Sequence, residues 1–436
     1  MKIIRVLPLV LLLCFANAEL THGSHGATDI PSASLQETGP GGEFLIRTAK
    51  QLAELPISAG MHYVLMNDID LPPNWVPIGS GAHPFEGKFD GGGHTIRGLS
   101  IAGRPTEPQG LFGTIQDAEI YNLVLENAKI TLTGDATAGL LVGAVTDSLI
   151  NNITIIGGAI TSGGESIVGG LAGRIAGETY ILDCETDTDI TGSIAGGIVG
   201  QAIGANLSTN ANHKMEILRC KATGSVTATA PSKGQHPAMV SGVAGGFIGQ
   251  GAFVLIEDSA SYGTVTGQNV GGFVGELANF SRVLYSYAQG DVFSCGLGGS
   301  VGGFVGVIKS GSCIEFSYSG GAVAAHSQSH QEWDIGGFAG TILANDAPTT
   351  ITHSFSFSPW VVGPADSNVQ RFVGSSPHGG VNGCYAALSS MVVKDSALMH
   401  VLPSAFGADG GDVSNTQVEV LARRLGWRRG VIPIHD

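Results

Sequence analysis

The sequence predicts an all-β fold: a single-stranded, right-handed parallel β-helix (β-solenoid) of about nine coils with a short helical cap at each end. Three observations lead there. The first is a five-residue phrase, Gly-Gly-apolar-x-Gly, written GGFVG at 271–275 and again at 302–306. It recurs as GGLAG (169–173), GGIVG (196–200), GGFIG (245–249) and GGFAG (336–340), and in weaker form as QGLFG (109–113), GLLVG (139–143) and RFVG (371–374). A unit repeated every ~30 residues marks a stacked architecture.

The second observation is a pair of columns in phase with the phrase. A β-branched residue follows each copy: Ile120, Ile150, Ile181, Ile217, Ile256, Val283, Ile314, Ile351 and Val381. Three residues on stands Leu123, Ile153, Cys184, Cys220, Ser259, Ser286, Ser317, Ser354 or Cys384. The apolar residue of the phrase runs Leu111, Leu141, Leu171, Ile198, then Phe247, Phe273, Phe304, Phe338 and Phe372. Five successive Phe are expected to stack along the core.

The third is glycine, 67 of 436 residues. At that density a helical repeat would lose about 1 kcal/mol per glycine relative to alanine. The residues between glycines favour strands. A unit this short cannot bury its own apolar face; wound as a coil, it pairs with the coils above and below. Nine coils at about 4.8 Å make a rod roughly 40 Å long.

In chain order, Met1–Ala18 has the build of a secretory signal peptide: Lys2 and Arg5, an apolar run from Val6 to Phe15, then Ala-Asn-Ala. Residues 19–41 are a polar, Gly/Ser/Pro-containing leader expected to be flexible. Residues 42–108 hold an N-terminal cap and the first coils. There Phe44–Ile46 reads as a strand and Thr48–Leu55 as an amphipathic helix with Thr48 as N-cap, placed over the open end of the first coil. The repeats fill 109–388, and 389–436 form a C-terminal cap. In that cap Ser390–Leu402 reads as a short helix stopped by Pro403. Thr416–Leu425 reads as a second helix, capped by Thr416, with Val418, Leu421, Ala422 and Leu425 on one stripe. Trp427 and the strand-like 431–434 complete it. Arg423, Arg424, Arg428 and Arg429 make this end basic, which complements a helix C-terminus or offers a patch to an acidic partner.

The run from Phe44 to Ile101, the following GLFG, and the later units ending I-x-x-[CS] resemble GLUG-motif repeat proteins over roughly residues 44–390. The resemblance implies a β-solenoid. GLUG repeats accompany some IgA1-protease-like zinc metallopeptidases and many large bacterial surface proteins of adhesin type. The peptidase carries HExxH on a separate domain. No HExxH occurs here, so that activity is not implied.

Composition excludes some functions. With Lys2 and Arg5 removed, 19 basic residues stand against 36 acidic, a net of −17, unlike a nucleic-acid binder. No other run of ~18 apolar residues is free of glycines and charges, so no membrane-spanning helix is expected. There is no G-x-S-x-G, no P-loop and no paired CxxC, and DGGGH (90–94) opens no helix after a strand; it reads as a turn. The five cysteines beyond the signal segment are Cys184, Cys220, Cys295, Cys313 and Cys384. They read first as buried thiols. Cys184 with Cys220, and Cys295 with Cys313, are candidate bridges, and the odd count leaves one unpaired.

Three constellations are candidate sites. Asp183, Glu185, Asp187 and Asp189 alternate with apolar or small residues, so an extended strand sets four carboxylates on one face. That is a solvated acidic face, a Ca²⁺ site needing 6–8 oxygens, or the catalytic carboxylates of a polysaccharide lyase or hydrolase. His326, His330, Glu332 and Asp334 surround Trp333 in one insertion (324–334), and His236 lies in another (230–241). Both insertions precede the glycine phrase, three coils apart, and project from the same edge. They read as exposed loops, as a metal site, or as a ligand loop with Trp333 as aromatic platform. Tyr287, Tyr318, Phe355 and Tyr385 each follow the small column by one residue. They predict an outer aromatic ladder that stabilises the stack or offers a platform to sugar rings. Two further insertions lie at 204–214 and 343–350.

The reading that follows is a secreted or cell-surface binding protein, with the periplasm as another exported location. It is adhesin-like, without a required cofactor, and its partner is a glycan or an extracellular or host surface protein. The alternatives are a polysaccharide-acting β-helix enzyme using 183–189, and a structural module of an envelope assembly.

Overall fold

The structure, a computed structural model, describes residues 37–428 except 58, 206–214, 230–241, 297, 328–331, 345–346 and 377–379. The signal-like segment, most of the leader, the strand-like 431–434, His236 and His330 lie outside the described residues.

The chain winds as a parallel β-solenoid. One coil shows the plan through five short strands: Asn269–Gly271, Val274–Ala278, Arg282–Leu284, Tyr287–Ala288 and Val292–Gly296. Each pairs in parallel with its equivalents above and below, which gives five ladders, here numbered I to V. The β-branched column forms the centre of ladder III, and all nine of its residues pair in register from Ile120 to Val381. The ladder is longer than the nine repeats. Phe44, Tyr63 and Phe89 continue the same column upstream, giving twelve rungs and a rod roughly 50 Å long. These first coils lack the glycine phrase, so the repeat alone does not count them.

The phrase is a corner where backbone packs on backbone. A Cβ on Gly271 would lie 2.0 Å from the Val274 carbonyl oxygen, and one on Gly272 2.1 Å from the Gly303 carbonyl oxygen. Only glycine fits between coils at that spacing. The following apolar residue points inward, and Phe247, Phe273, Phe304, Phe338 and Phe372 stack with centroids 4.5–4.9 Å apart, all without solvent exposure.

Between ladders III and IV the chain bends through one left-handed residue per coil. These are Asn122, Asn152, Asp183, Arg219, Asp258, Tyr285, Phe316 and His353, with φ between 48° and 57°, then Gly383 at 63°. The bend turns the next residue sharply inward, which explains the small column. Each Ser hydroxyl there donates to the carbonyl two residues earlier and accepts the N–H of its equivalent in the preceding coil. For Ser286 these are Leu284 O at 2.8 Å and Ser259 N at 3.3 Å. The thiols of Cys184 and Cys220 donate to Leu182 O and Leu218 O in the same way. Both are buried and free, as is Cys384; Cys313 is free and half-buried. The Cys184–Cys220 pair is therefore stacked but unbridged, and the Cys295 side chain lies outside the described set.

The N-terminal end is sealed. Residues 37–43 turn back on the first rung: Thr38 bridges Phe44 in antiparallel sense and the Leu45 N–H donates to Glu37 O at 3.1 Å. These last leader residues thus have a structural task. Helix α1 (Ala49–Ala53) is N-capped by Thr48 in a capping box with Gln51, and its Leu52 is fully buried in the core.

The C-terminal end departs from expectation in two places. Residues 390–402 form no helix. Met391–Lys394 adds a parallel rung to Trp360–Gly363, and Ala397–Leu398 folds back on it antiparallel. The β-branched Val392 and Val393 suit a rung, and the open edge of ladder V supplies the hydrogen bonds. Helix α2 (Asn415–Leu425) begins after Ser414, not at Thr416, and ends at Gly426 with φ 94°. It packs against the flank of the last coils rather than across their axis. Val418, Ala422 and Trp427 bury themselves with Tyr318, Phe355 and Phe357, and Leu421 and Leu425 pack alongside.

The axis itself is closed by 404–413. The Ala408 carbonyl accepts the Phe372 and Val373 N–H groups, as a further coil would. The buried Arg371 bonds Asp409 O (2.9 Å), Gly410 O (3.1 Å) and the Asp412 carboxylate (2.7 Å). Arg371 stands where seven of the eight other copies of the phrase have glycine and one has Leu140. The last copy departs from the rule because it anchors a closing segment instead of another corner.

Candidate functional site

Two constellations that lie apart in the sequence are one column in the structure. On ladder IV, Glu185 pairs with Lys221, Lys221 with Ala260, Ala260 with Tyr287, Tyr287 with Tyr318, Tyr318 with Phe355, and Phe355 with Tyr385. The acidic strand and the aromatic ladder therefore share one outward face, because strand alternation sends the same register position outward in every coil.

α2 divides this face. Tyr318 is 8% exposed and Phe355 fully buried beneath it, with Trp427 5.4 Å from the Phe355 ring and its indole N–H donated to His353 O. Tyr287 and Tyr318 stack at 4.9 Å. Burial pushes the Tyr318 hydroxyl up to about 12, and holds the Tyr287 hydroxyl protonated still more firmly. Tyr318 is thus part of a covered seam. Arg428 closes the edge of the seam: it bridges Glu257 (2.5 Å) and Asp258 (3.2 Å) and lies 4.0 Å over the Tyr285 ring. Arg423 pairs with Glu419 within the helix. The basic end is to that extent spent on internal contacts.

Beyond α2 the face is open. Tyr287 and Tyr262 are half-buried, with hydroxyls 2.6 Å apart and rings edge to face. Gln289 donates to the Tyr318 hydroxyl at 3.4 Å. The Lys221 ammonium lies 2.6 Å from Glu185 and 5.5 Å over the Tyr262 ring, and the Glu185 carboxylate holds its pKa above the ordinary lysine value. Tyr262, Lys221 and Gln289 escape a reading of single motifs. Lys221 stands one residue after the small column, in the position of Tyr287, and Tyr262 and Gln289 belong to the column three residues after it, which runs Asp187, Thr223, Tyr262, Gln289.

The four carboxylates are placed differently from one another. Asp183 occupies the left-handed bend, outside the strand Glu185–Gly192. Arg219 of the next coil holds it bidentately at 2.7 Å, and that hydrogen bond lowers its pKa. The strand itself alternates exposed and buried, so Glu185, Asp187 and Asp189 do share the outer face. Asp187 accepts from the Thr223 hydroxyl at 3.1 Å. Asp189 accepts from the Ser225 N–H at 3.1 Å and its hydroxyl at 2.5 Å. Among the described residues neither Asp187 nor Asp189 has an ion-pair partner, and no three His, Cys, Asp or Glu side chains converge as a metal site.

Asp187 and Asp189 form one wall of a notch of about 420 Å³. Its floor is Gly157–Gly158, where the long strand Leu149–Ser162 bulges by one residue against the next coil. Asn127 and Lys129 of the coil before form the other wall. Lys129 makes no ion pair among the described residues. Two coil steps, about 10 Å, set its ammonium's rung apart from the carboxylate wall. The missing side chain at Gly157, where a Cβ would come 3.2 Å from Asn127 Oδ1, helps make the space; a Cβ on Gly158 would instead turn toward the buried Leu140.

Of the histidine constellation, His236 and His330 lie outside the described residues, and the others are placed apart. His326 is exposed on ladder V, beside Cys295. Trp333 lies on ladder I, fully buried in the core beside Gly299, so it is no surface platform. Asp334 accepts from Asn368 (2.8 Å) and Thr341 (2.9 Å).

No family model matches the chain. A protein of Evansella cellulosilytica described as a Gly-rich membrane protein is 38% identical over 111 residues, 23% of this chain. The match covers 12% of that protein's length. A crystal structure described as an immunoglobulin A1 protease from Bacteroides ovatus aligns over 91% of this chain and 92% of that one, at 18% identity and a TM-score of 0.35.

Proposed function

We propose that this protein is an exported, surface-associated β-solenoid of the GLUG-motif kind. It binds a glycan along the open stretch of ladder IV between the notch and α2. The observation that carries the reading is the linear run of half-exposed aromatic and polar groups on a rigid face: Glu185, Lys221, Tyr262, Tyr287 and Gln289. Aromatic rings offer apolar faces to the C–H side of a pyranose, while carboxylates, amide and ammonium exchange hydrogen bonds with its hydroxyls. The rod holds these groups in place without an ordering cost on binding. The signal-like segment 1–18 supports export, and the resemblance over 44–390 supports a surface role.

The test is glycan-array binding by the purified protein, followed by calorimetry on any hit. Tyr262→Ala/Tyr287→Ala is expected to weaken binding at least about tenfold, equivalent to ~1.4 kcal/mol, with an unchanged circular dichroism spectrum. Retention of no glycan, or binding untouched by the double variant, sinks the reading. Release of reducing or unsaturated sugar ends, abolished by Asp187→Ala, would instead assign an enzyme.

A further inference from the structure

The two ends of the rod differ in what they show to solvent. At the N-terminal end, residues 37–43 pair with the first rung and Leu52 of α1 is buried. At the C-terminal end the closing segments themselves carry exposed apolar residues: Leu388 (62%), Met391, Leu398 (71%), Met399, Leu402 (72%) and Phe406 (73%), with Trp360 (50%) beside Met391 on the ladder. Seven of the thirteen large, exposed hydrophobic residues among those described fall here, so this is a patch rather than scatter. The strand that ends ladder V, Ala397–Leu398, pairs only with Val393–Lys394 among the described residues, which leaves its outer edge open.

We infer that this end docks against a second copy of the chain, tail to tail about a two-fold axis. Three features select that occupant. At roughly 200 Å² per large side chain, the seven exposures leave on the order of 800 Å² open, close to the ~800 Å² each partner contributes to a standard interface. An open strand edge meets its own copy antiparallel across a two-fold axis, so the patch is self-complementary. Among the described residues the N-terminal end shows no comparable apolar patch, with Val76 its one large exposed hydrophobic residue, so head-to-tail stacking lacks a matching face and the assembly closes as a dimer instead of growing into a filament. Charge agrees. The acidic strand 183–189 lies six or seven coils away, about 30 Å, well past the ~8 Å over which charges are felt in physiological salt. Copies of net charge −15 can therefore meet at this end without opposing their acidic faces.

Sedimentation velocity and small-angle scattering on the full chain test this from about 1 to 100 µM, the range of ordinary affinities. The expected species has twice the chain mass and nearly twice the maximum dimension. Leu398→Asp/Phe406→Asp returns it to the monomer at all these concentrations. Both residues are more than two-thirds exposed, so the core is untouched; Leu402→Asp alone serves if the double variant folds poorly. A wild-type chain that stays monomeric, a dimer that survives the substitutions, or a dimer no longer than the monomer overturns the inference. Mass loss without change in glycan binding separates it from the ladder IV reading.

Discussion

At the scale of the residue, identity follows column. Phe304 lies between Phe273 at 4.8 Å and Phe338 at 4.9 Å with no exposure. Phe304→Ala is expected to lower stability by about 3–5 kcal/mol, read as a shift of the urea midpoint. Phe304→Leu should lower it by less than about 1.5 kcal/mol, since Leu111, Leu141 and Leu171 already fill this column in earlier coils. The inward columns were legible because each coil repeats one position in one environment. The left-handed column was not. Asn122, Asn152, Asp183, Asp258, His353 and Gly383 are residues that accept positive φ, but Arg219, Tyr285 and Phe316 are not; the ladders on either side impose the bend on them. Part of what they gain is stacking: Tyr285 on Phe316 at 5.1 Å, and Phe316 on His353 at 5.2 Å.

At the scale of the element, both helices could be read from caps and stripes, and only one could be placed. α1 follows the first strand directly and has one coil end within reach. α2 follows a closing segment of some twenty residues, and its stripe fits the aromatic flank of ladder IV better than the axis. Its anchor is Trp427. Trp427→Ala is expected to free α2 and raise tryptic cleavage after Arg423 and Arg424 about tenfold. Arg428→Ala should change it little, because exposed ion pairs contribute at most about 1 kcal/mol. Equal protection in both variants would show that Val418 and Ala422 hold the helix alone. The segment 390–402 shows the opposite lesson. Its composition allows a helix, and an unpaired ladder edge decided for strand.

At the scale of the whole molecule, a rod in which each coil meets only its neighbours should respond locally. In Phe304→Ala, hydrogen exchange is expected to quicken in the coils around 271–340 and to stay unchanged between 44 and 130; uniform acceleration would mean that the rod unfolds as one unit. The candidate site also belongs to this scale. The acidic strand and the tyrosine ladder were each visible in the sequence, yet their union on ladder IV, the α2 cover over Tyr318 and the notch beside Asp187 were not. Trp333, legible as a loop aromatic, proved a core residue because it begins a ladder I strand in register with Gly299 and its indole is turned inward. By itself the sequence determined the solenoid, its register and its inward columns, since a repeated position meets its own copy and needs no distant partner. Only the tertiary structure decided which outward residues remain open to solvent, because that depends on where non-repeating segments come to rest, and their contacts are with coils far away along the chain.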